Sequence, residues 1–215
     1  MTNHIAEPGA QSSGRAALLA AARAELAEVG VGGLSLRAVA RRAGVSHALP
    51  KHHFTHRAGL LSALAADGFT ALATEVEAAV AATASPIHRL AAAGRAYLRY
   101  ARDEPALFDL MYRPELLSSA DPTLLAAKRS AFGALTEVVH STRNQLRTDI
   151  EPDPVVLLAW ATVHGTAVLV RDHALEAIGA AADDAHSQAL AATLVDAFAR
   201  LITQPVRQNE QHPSH

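Results

Sequence analysis

From Ser13 to Leu201 the apolar residues return every three or four positions, and prolines at 86, 105, 114, 122, 152 and 154 cut that pattern into segments. A recurrence of this kind places one stripe of each segment in a core and reads as amphipathic helix, whereas a half-buried strand alternates at every second residue. Proline removes a backbone donor and clashes with the preceding turn, so each one marks where a helix begins or fails to continue. Alanine and leucine dominate, and aromatics make up only 4% of the chain, which favours close-packed helices over a sheet. An all-α fold follows. The spacing predicts helices from Ser13 to Val29, from Ser35 to Ala43, briefly from Ser46 to His53, and then over 57–83, 86–103, 105–112, 122–148, 154–178 and 185–203. The expected organisation is a tail over 1–12, a small three-helix domain over 13–56, a connecting helix over 57–83, a larger helical domain over 84–204 and a polar tail over 205–215. The connecting helix would be ~40 Å long, enough to join two halves of a molecule.

Composition narrows the chemistry. There are no cysteines, which excludes disulfides, thiolate metal sites and cysteine nucleophiles. Nothing near Met1 resembles a charged-then-apolar leader, and no uninterrupted apolar run reaches the ~18 residues of a membrane span, so a cytoplasmic protein with no membrane partner is expected. The overall net charge of -2 conceals an asymmetry. Residues 1–60 hold seven Lys/Arg against three Asp/Glu, and the remainder twelve against eighteen. A basic first third on an acidic remainder suggests that only the first third meets a polyanion.

The segment SLRAVARRAGVSHALPKHHF, from Ser35 to Phe54, has the spacing of a helix-turn-helix. Ser35 caps its first helix, Leu36, Val39 and Ala43 face inward, and Ala40 is small where the helices cross. Gly44 supplies a left-handed turn residue and Val45 fills the corner. Ser46 is expected to cap the second helix, which makes Pro50 its fourth residue, at an inward position that tolerates the missing N–H. Ser46, His47, Ala48, Leu49, Lys51 and His52 then face outward. Short side chains at the start of that helix allow approach to base edges, while Lys51, His53, Arg41 and Arg42 reach phosphates. The helix starts at Ser35 and Ser46 offer further phosphate donors. The plain alternative for ARRAG is a solvated charged face, and the turn, the caps and the charge asymmetry together favour DNA.

The stretch GLSLRAVARRAGVSHALPKHHFTHRAGLLSAL resembles the N-terminal domain of the TetR-like transcriptional repressors, closely over 13–62 and more weakly over the helical remainder. The resemblance implies a helix-turn-helix reading double-stranded DNA, a connecting helix, a ligand-binding core and a homodimer built on the last two helices. Ser35 and Arg37 match the family's Thr/Ser-Leu-Arg start, Ala40 to Val45 its turn, and His53-Phe54 its His-Phe pair. Lys51 departs from the tyrosine usual there, and Pro50 is uncommon in the family at large. Further on, Trp160, His164 and Gly165 resemble a Trp-x-x-x-His-Gly signature of one TetR subgroup. Trp160 and His164 are four apart and so share a helix face.

The residues expected to line an effector pocket are Phe108, Met111, Tyr112, Phe132 and Trp160, with Asn144 and His164 as polar accents, which fits a small apolar ligand. Each could equally be core. Neither HHxxH (His52, His53, His56) nor the group His164, Asp172 and His173 supplies a sensible ligand spacing, so no metal and no cofactor are expected. No triad, carboxylate pair or phosphate loop stands out, and an enzyme is the distant alternative to a ligand-responsive repressor. A DNA-binding architectural protein that takes no effector is the nearer one. Val168, Leu175, Leu190, Leu194 and Phe198 supply apolar surface for the expected homodimer.

Overall fold

The computed structural model describes residues 8–146 and 151–203. Among them are ten α-helices: α1 (Pro8–Gly33), α2 (Leu36–Arg42), α3 (Leu49–His53), α4 (Arg57–Ala81), α5 (Pro86–Asp103), α6 (Pro105–Met111), α7 (Pro122–Ser141), α8 (Pro152–Arg171), α9 (Ala174–Ala177) and α10 (Asp184–Ile202). Single 3-10 turns lie at Pro114–Leu116 and Arg143–Gln145. The one extended pairing among the described residues is an isolated antiparallel bridge between Leu146 and Thr203. The fold is all-α. Five of these helices open on a proline, where its fixed φ and absent N–H suit the first helical position.

The chain forms two compact units. One holds the described residues up to Ala73 together with Tyr100–Ala131, and the other holds Thr74–Arg99 and the described residues from Phe132 onward. In the first unit α1 packs on α2, α3 and α6. Leu18, Leu19, Ala22 and Leu26 of α1 meet a core that includes Val39, Phe54, Leu60, Leu61 and Leu64, all buried. Val29, placed on the inner stripe by its spacing, is 44% exposed. The cause is Gly30, whose φ of 66° and ψ of 178° interrupt the helix one residue later and turn the chain off that stripe. Arg57 then ties the start of α4 to this bend by donating to the carbonyls of Leu34 (2.9 Å) and Val31. Farther along α4, Gly68 admits α6 at close range: a Cβ there would lie 2.7 Å from Met111 Sδ.

In the second unit α8 and α10 form the main helix pair, with α9 against both. Val155, Val156, Ala159, Val163, Ala167 and Val170 of α8 face inward, as do Ala191, Val195, Ala199 and Ile202 of α10. Gly94 of α5 lets Val195 sit where a Cβ would otherwise be. An ion pair between Arg95 and Asp196 reinforces the same crossing.

Three boundaries differ from the sequence expectation by five residues or more. α1 begins at Pro8, five residues before the apolar period becomes visible, because Ala, Gln and Ser sustain a helix without marking a buried face. Residues 1–7 and 204–215, and with them the rest of the expected tails, lie outside the described residues. α7 stops at Ser141 instead of reaching 148. Ser141 Oγ and Thr142 Oγ1 both donate to the Val138 carbonyl (2.9 and 3.0 Å), closing the helix end with hydroxyls where no Gly or Pro announces it. The helix expected over 154–178 is two: α8 ends at Arg171, and His173 adopts a left-handed φ of 52° before α9. Finally, α8 is long and apolar enough by length and composition to cross a membrane, a property that counting uninterrupted apolar runs missed. Its apolar residues divide between the buried stripe facing α10 and a second, exposed one.

Candidate functional site

The helix-turn-helix is set by short-range chemistry. Ser35 is the N-cap of α2, and its Oγ accepts the amide of Ala38 at 3.1 Å. At the other end Gly44 takes a left-handed φ of 67°, the Gly44 amide donates to the Arg41 carbonyl (3.2 Å) and the Val45 amide to that of Ala40 (3.0 Å). These two bonds make a Schellman cap, which satisfies the last carbonyls of α2 and fixes the direction in which the chain enters α3. The entry into α3 differs from expectation. Its N-cap is Ala48 instead of Ser46, with no side-chain capping bond, and Pro50 is its second residue instead of its fourth. Because Pro50 has no N–H to donate to Ser46, the Leu49 amide makes a turn bond to the Ser46 carbonyl (3.1 Å), and the first four-residue bond runs from His52 to Ala48 (3.3 Å). The proline ring is buried.

This geometry sorts the sequence-derived DNA residues. Arg37, Arg41, Ser46, His47, Ala48, Lys51 and His52 are exposed, and Ser35 and Leu49 are half-buried. His53 is half-buried as well: its Nε2 is the atom nearest to Gly14 of α1, and its ring centroid lies 6.3 Å from that of Phe54. Arg42 behaves differently from its neighbour. Its Nε donates to the buried Glu25 at 2.6 Å and a terminal nitrogen pairs with Glu28, whereas Arg41 stands 3.9 Å from Glu25 with 74% of its side chain exposed. The two glutamates hold the Arg42 guanidinium above its ordinary pKa, Glu25 foremost. Arg42 thus braces α2 on α1, a partnership invisible in a run of two arginines. His56, weighed above as a metal ligand, instead accepts the amide of Gly59 on Nδ1 (3.0 Å) and caps α4.

The residues expected to meet an effector fall into two groups. In the first unit Phe108 and Met111 are buried at 0% and 1% exposure, and Tyr112 stacks edge-on against Phe69 (5.6 Å) and tilted against Phe108 (5.1 Å). In the second unit the indole of Trp160 meets the ring of Phe132 edge-on at 6.1 Å and that of His164 at 6.0 Å. His164 Nδ1 lies 2.8 Å from Tyr97 Oη, a residue that sequence reasoning left out because its partner is 67 positions away. Burial, seconded by the charge of Arg171, pushes the His164 imidazole below its ordinary pKa, so it is neutral near pH 7 and shares one proton with the phenol in a single hydrogen bond. Phe132 and Trp160 stay 40% and 37% exposed, so this aromatic group is open on one side. Asn144 is exposed on the 3-10 turn after α7.

A helix-turn-helix joined to a larger helical unit is an arrangement found in known proteins. Residues 18–64 match the family model for bacterial regulatory proteins of the tetR family, and residues 90–202, more than half of the chain, match that for a tetracyclin repressor-like C-terminal domain. The chain belongs to the TetR family. A Rhodococcus sp. RHA1 protein of unknown function is 32% identical to this TetR-family chain, covering 94% of it and 100% of its own length with a TM-score of 0.76. The TetR-family regulator PfmR of Thermus thermophilus shares the fold at 18% identity, covering 85% of this chain and 97% of its own, TM-score 0.64. The Bacillus subtilis transcriptional regulator FadR, solved in complex with stearoyl-CoA, does so at 13% identity, 87% and 99% coverage and a TM-score of 0.67. No curated protein matches the sequence. As a TetR-family member the chain has the fold of a DNA-binding transcription regulator.

Lys51 and Arg42, one cation outward and one engaged, give a direct comparison. Lys51→Ala is expected to weaken binding to all duplexes alike and to flatten the salt dependence by about one phosphate's worth per head. Arg42→Ala is expected to lower the melting temperature, by leaving Glu25 buried without its partner, while changing the salt slope little. Measurements of affinity against salt concentration and thermal melts on both variants check this. An altered base preference in Lys51→Ala with an unchanged slope would assign Lys51 to the bases.

Proposed function

We propose that the protein is a ligand-responsive repressor that binds a palindromic operator as a homodimer and is released by a small apolar molecule. In this reading the segment 13–56 is the reading head, α4 the lever and 84–204 the effector and dimer region. Two copies of α3 enter successive major grooves ~34 Å apart. Ser46, His47 and Ala48 approach bases, and Arg37, Arg41, Lys51 and His52 hold phosphates, with Arg42 orienting α2. An effector that binds better when the heads are misspaced must, by linkage, weaken DNA binding by the same factor.

The observation that carries ligand response is the half-open aromatic group of Phe132 and Trp160 around a neutral His164 held by Tyr97. Apolar walls with one positioned polar pair suit an acyl or other apolar ligand carrying a single polar group. The stearoyl-CoA bound to B. subtilis FadR makes acyl thioesters the first probes to try. Dimerisation is supported by an uncovered apolar surface on the α8–α10 pair. Leu157, Leu158 and Leu169 of α8 and Leu194 and Leu201 of α10 are 41–66% exposed, and between them Gly165 has open space where a Cβ would point. A partner's helices would cover that surface.

Trp160 is the only tryptophan of the chain, so its emission reports the site without labelling. Titration with acyl-CoA thioesters of graded length should give a saturable emission change. The same ligands should weaken binding to a duplex selected from a random pool by about tenfold. An emission change that leaves duplex affinity untouched would uncouple the site from DNA. The absence of both effects across the series would return the protein to the effector-independent class.

A further inference from the structure

The corner where α8, α9 and α10 meet holds a group that neither reading uses. His173, Glu176 and Asp184 bring one imidazole nitrogen and two carboxylates within 4.8 Å of one another. His173 and Glu176 are three apart across the start of α9, with Nδ1 3.4 Å from Oε1, and Asp184 is the first residue of α10. Tetrahedral zinc ligands at ~2.0–2.1 Å from the ion are themselves roughly 3.4 Å apart, so the His173–Glu176 pair already has that spacing. Asp184 is exposed and its side chain is free to close the remaining distance. Beneath the group, Val170, Leu175, Ala181 and Ala191 form a small apolar cluster flanked by Leu98 and Leu190, which anchors the corner.

A second observation points to a bound cation independently of this spacing. Glu176 Oε2 is buried and makes no hydrogen bond, and neither does Ser187 Oγ, whose residue is 0% exposed. Ser187 lies beside the Glu176 carboxylate. A buried carboxylate oxygen without a donor is costly, and a cation with its bound water supplies what both oxygens lack. The local charge agrees. Residues 172–184 include Asp172, Glu176, Asp183 and Asp184 and no Lys or Arg, and the adjacent Arg171 is spent on Asp172 at 2.8 Å.

The geometry points to a divalent-cation site made by His173, Glu176 and Asp184, of the borderline class typified by Zn2+. One imidazole among two carboxylates selects against Mg2+ and Ca2+, which take oxygen ligands alone. The ion would clip α9 to the start of α10, and water would complete its coordination. The inference stands apart from the effector reading, since it needs neither Trp160 nor DNA.

Calorimetric titration of the full chain with ZnCl2, paired with thermal melting, tests it. One zinc per chain and a raised melting temperature are expected, with neither effect from MgCl2. His173→Asn removes the imidazole but keeps a residue that tolerates the left-handed backbone, and Glu176→Gln removes a charge at equal size. Each should weaken zinc binding at least about tenfold and cancel the thermal gain. A His52→Ala/His56→Ala double variant should leave both effects intact. Absence of zinc binding, an unchanged isotherm in His173→Asn, or loss of the site in the His52/His56 variant would overturn the assignment.

Discussion

Pro50→Asp should abolish operator binding while leaving the protein dimeric. Pro50 is buried as the second residue of α3, a helix of five residues with no side-chain cap. Two effects of the substitution oppose each other. An acidic residue in the first turn of a helix gains ~0.3–1 kcal/mol from the aligned backbone dipoles. A carboxylate buried without a partner costs at least several kcal/mol, more than a single turn of helix can hold. The burial wins, and the reading head unravels around α3. Pro50→Leu is the control: it keeps the site apolar and returns an N–H, and its stability should change by only ~1 kcal/mol in either direction. Duplex binding, sedimentation and melting of both variants check the expectation. Normal binding by Pro50→Asp would put residue 50 at the surface and overturn the placement of every contact residue from Ser46 to His53.

Leu194→Glu should produce the complementary failure, a folded monomer with intact heads and little affinity for the operator. Leu194 is 41% exposed, on the same face of α10 as Leu201 at 66%. In an isolated chain such a surface substitution changes stability by no more than ~0.5 kcal/mol. In a two-fold assembly it buries two glutamates near the axis without partners. The heads then bind singly, and losing the tether between half-sites removes on the order of 10²–10⁴ in affinity. Sedimentation at micromolar concentration, with melting at the same concentration, separates this outcome from unfolding. A wild-type monomer would sink the paired-groove reading, and a dimeric Leu194→Glu would move the interface off this face.

How much of this was legible in the sequence depends on the range over which each feature is determined. The Ser35 cap, the Gly44 turn and the inward Pro50 are set by residues a few positions apart, and each shows in the chain as a residue type with one conformational use. The buried stripe of α4, with Leu60, Leu64, Leu72 and Val76, was legible for the same reason, since burial repeats with the helix itself. Helix ends without Gly or Pro were not. Ser141 and Thr142 close α7 with hydroxyls that could as well have faced water, and His173 breaks α8 in a conformation few histidines adopt. Partners were least legible of all. Nothing in ARRAG tells Arg41 from Arg42, because the packing of α1 on α2 decides that Arg42 bonds both Glu25 and Glu28 while Arg41 stays 3.9 Å from Glu25 and exposed. Periodicity likewise marked Phe108 and Trp160 as apolar but could not say that one is sealed into the first unit and the other left half open in the second.

The engagement of Arg42 bears on how the protein would search a genome. Attachment to random sequence is driven by ions set free from phosphates, one for each contact made. With Arg42 held by Glu25 and Glu28, the outward cations of α2 and α3 are Arg37, Arg41 and Lys51. In the proposed dimer that is roughly two fewer ions released on every stretch of DNA, right or wrong. Each stop would be shorter at random sequence and operator alike, so the search would move on sooner, while the choice between sites would rest with the contacts to bases.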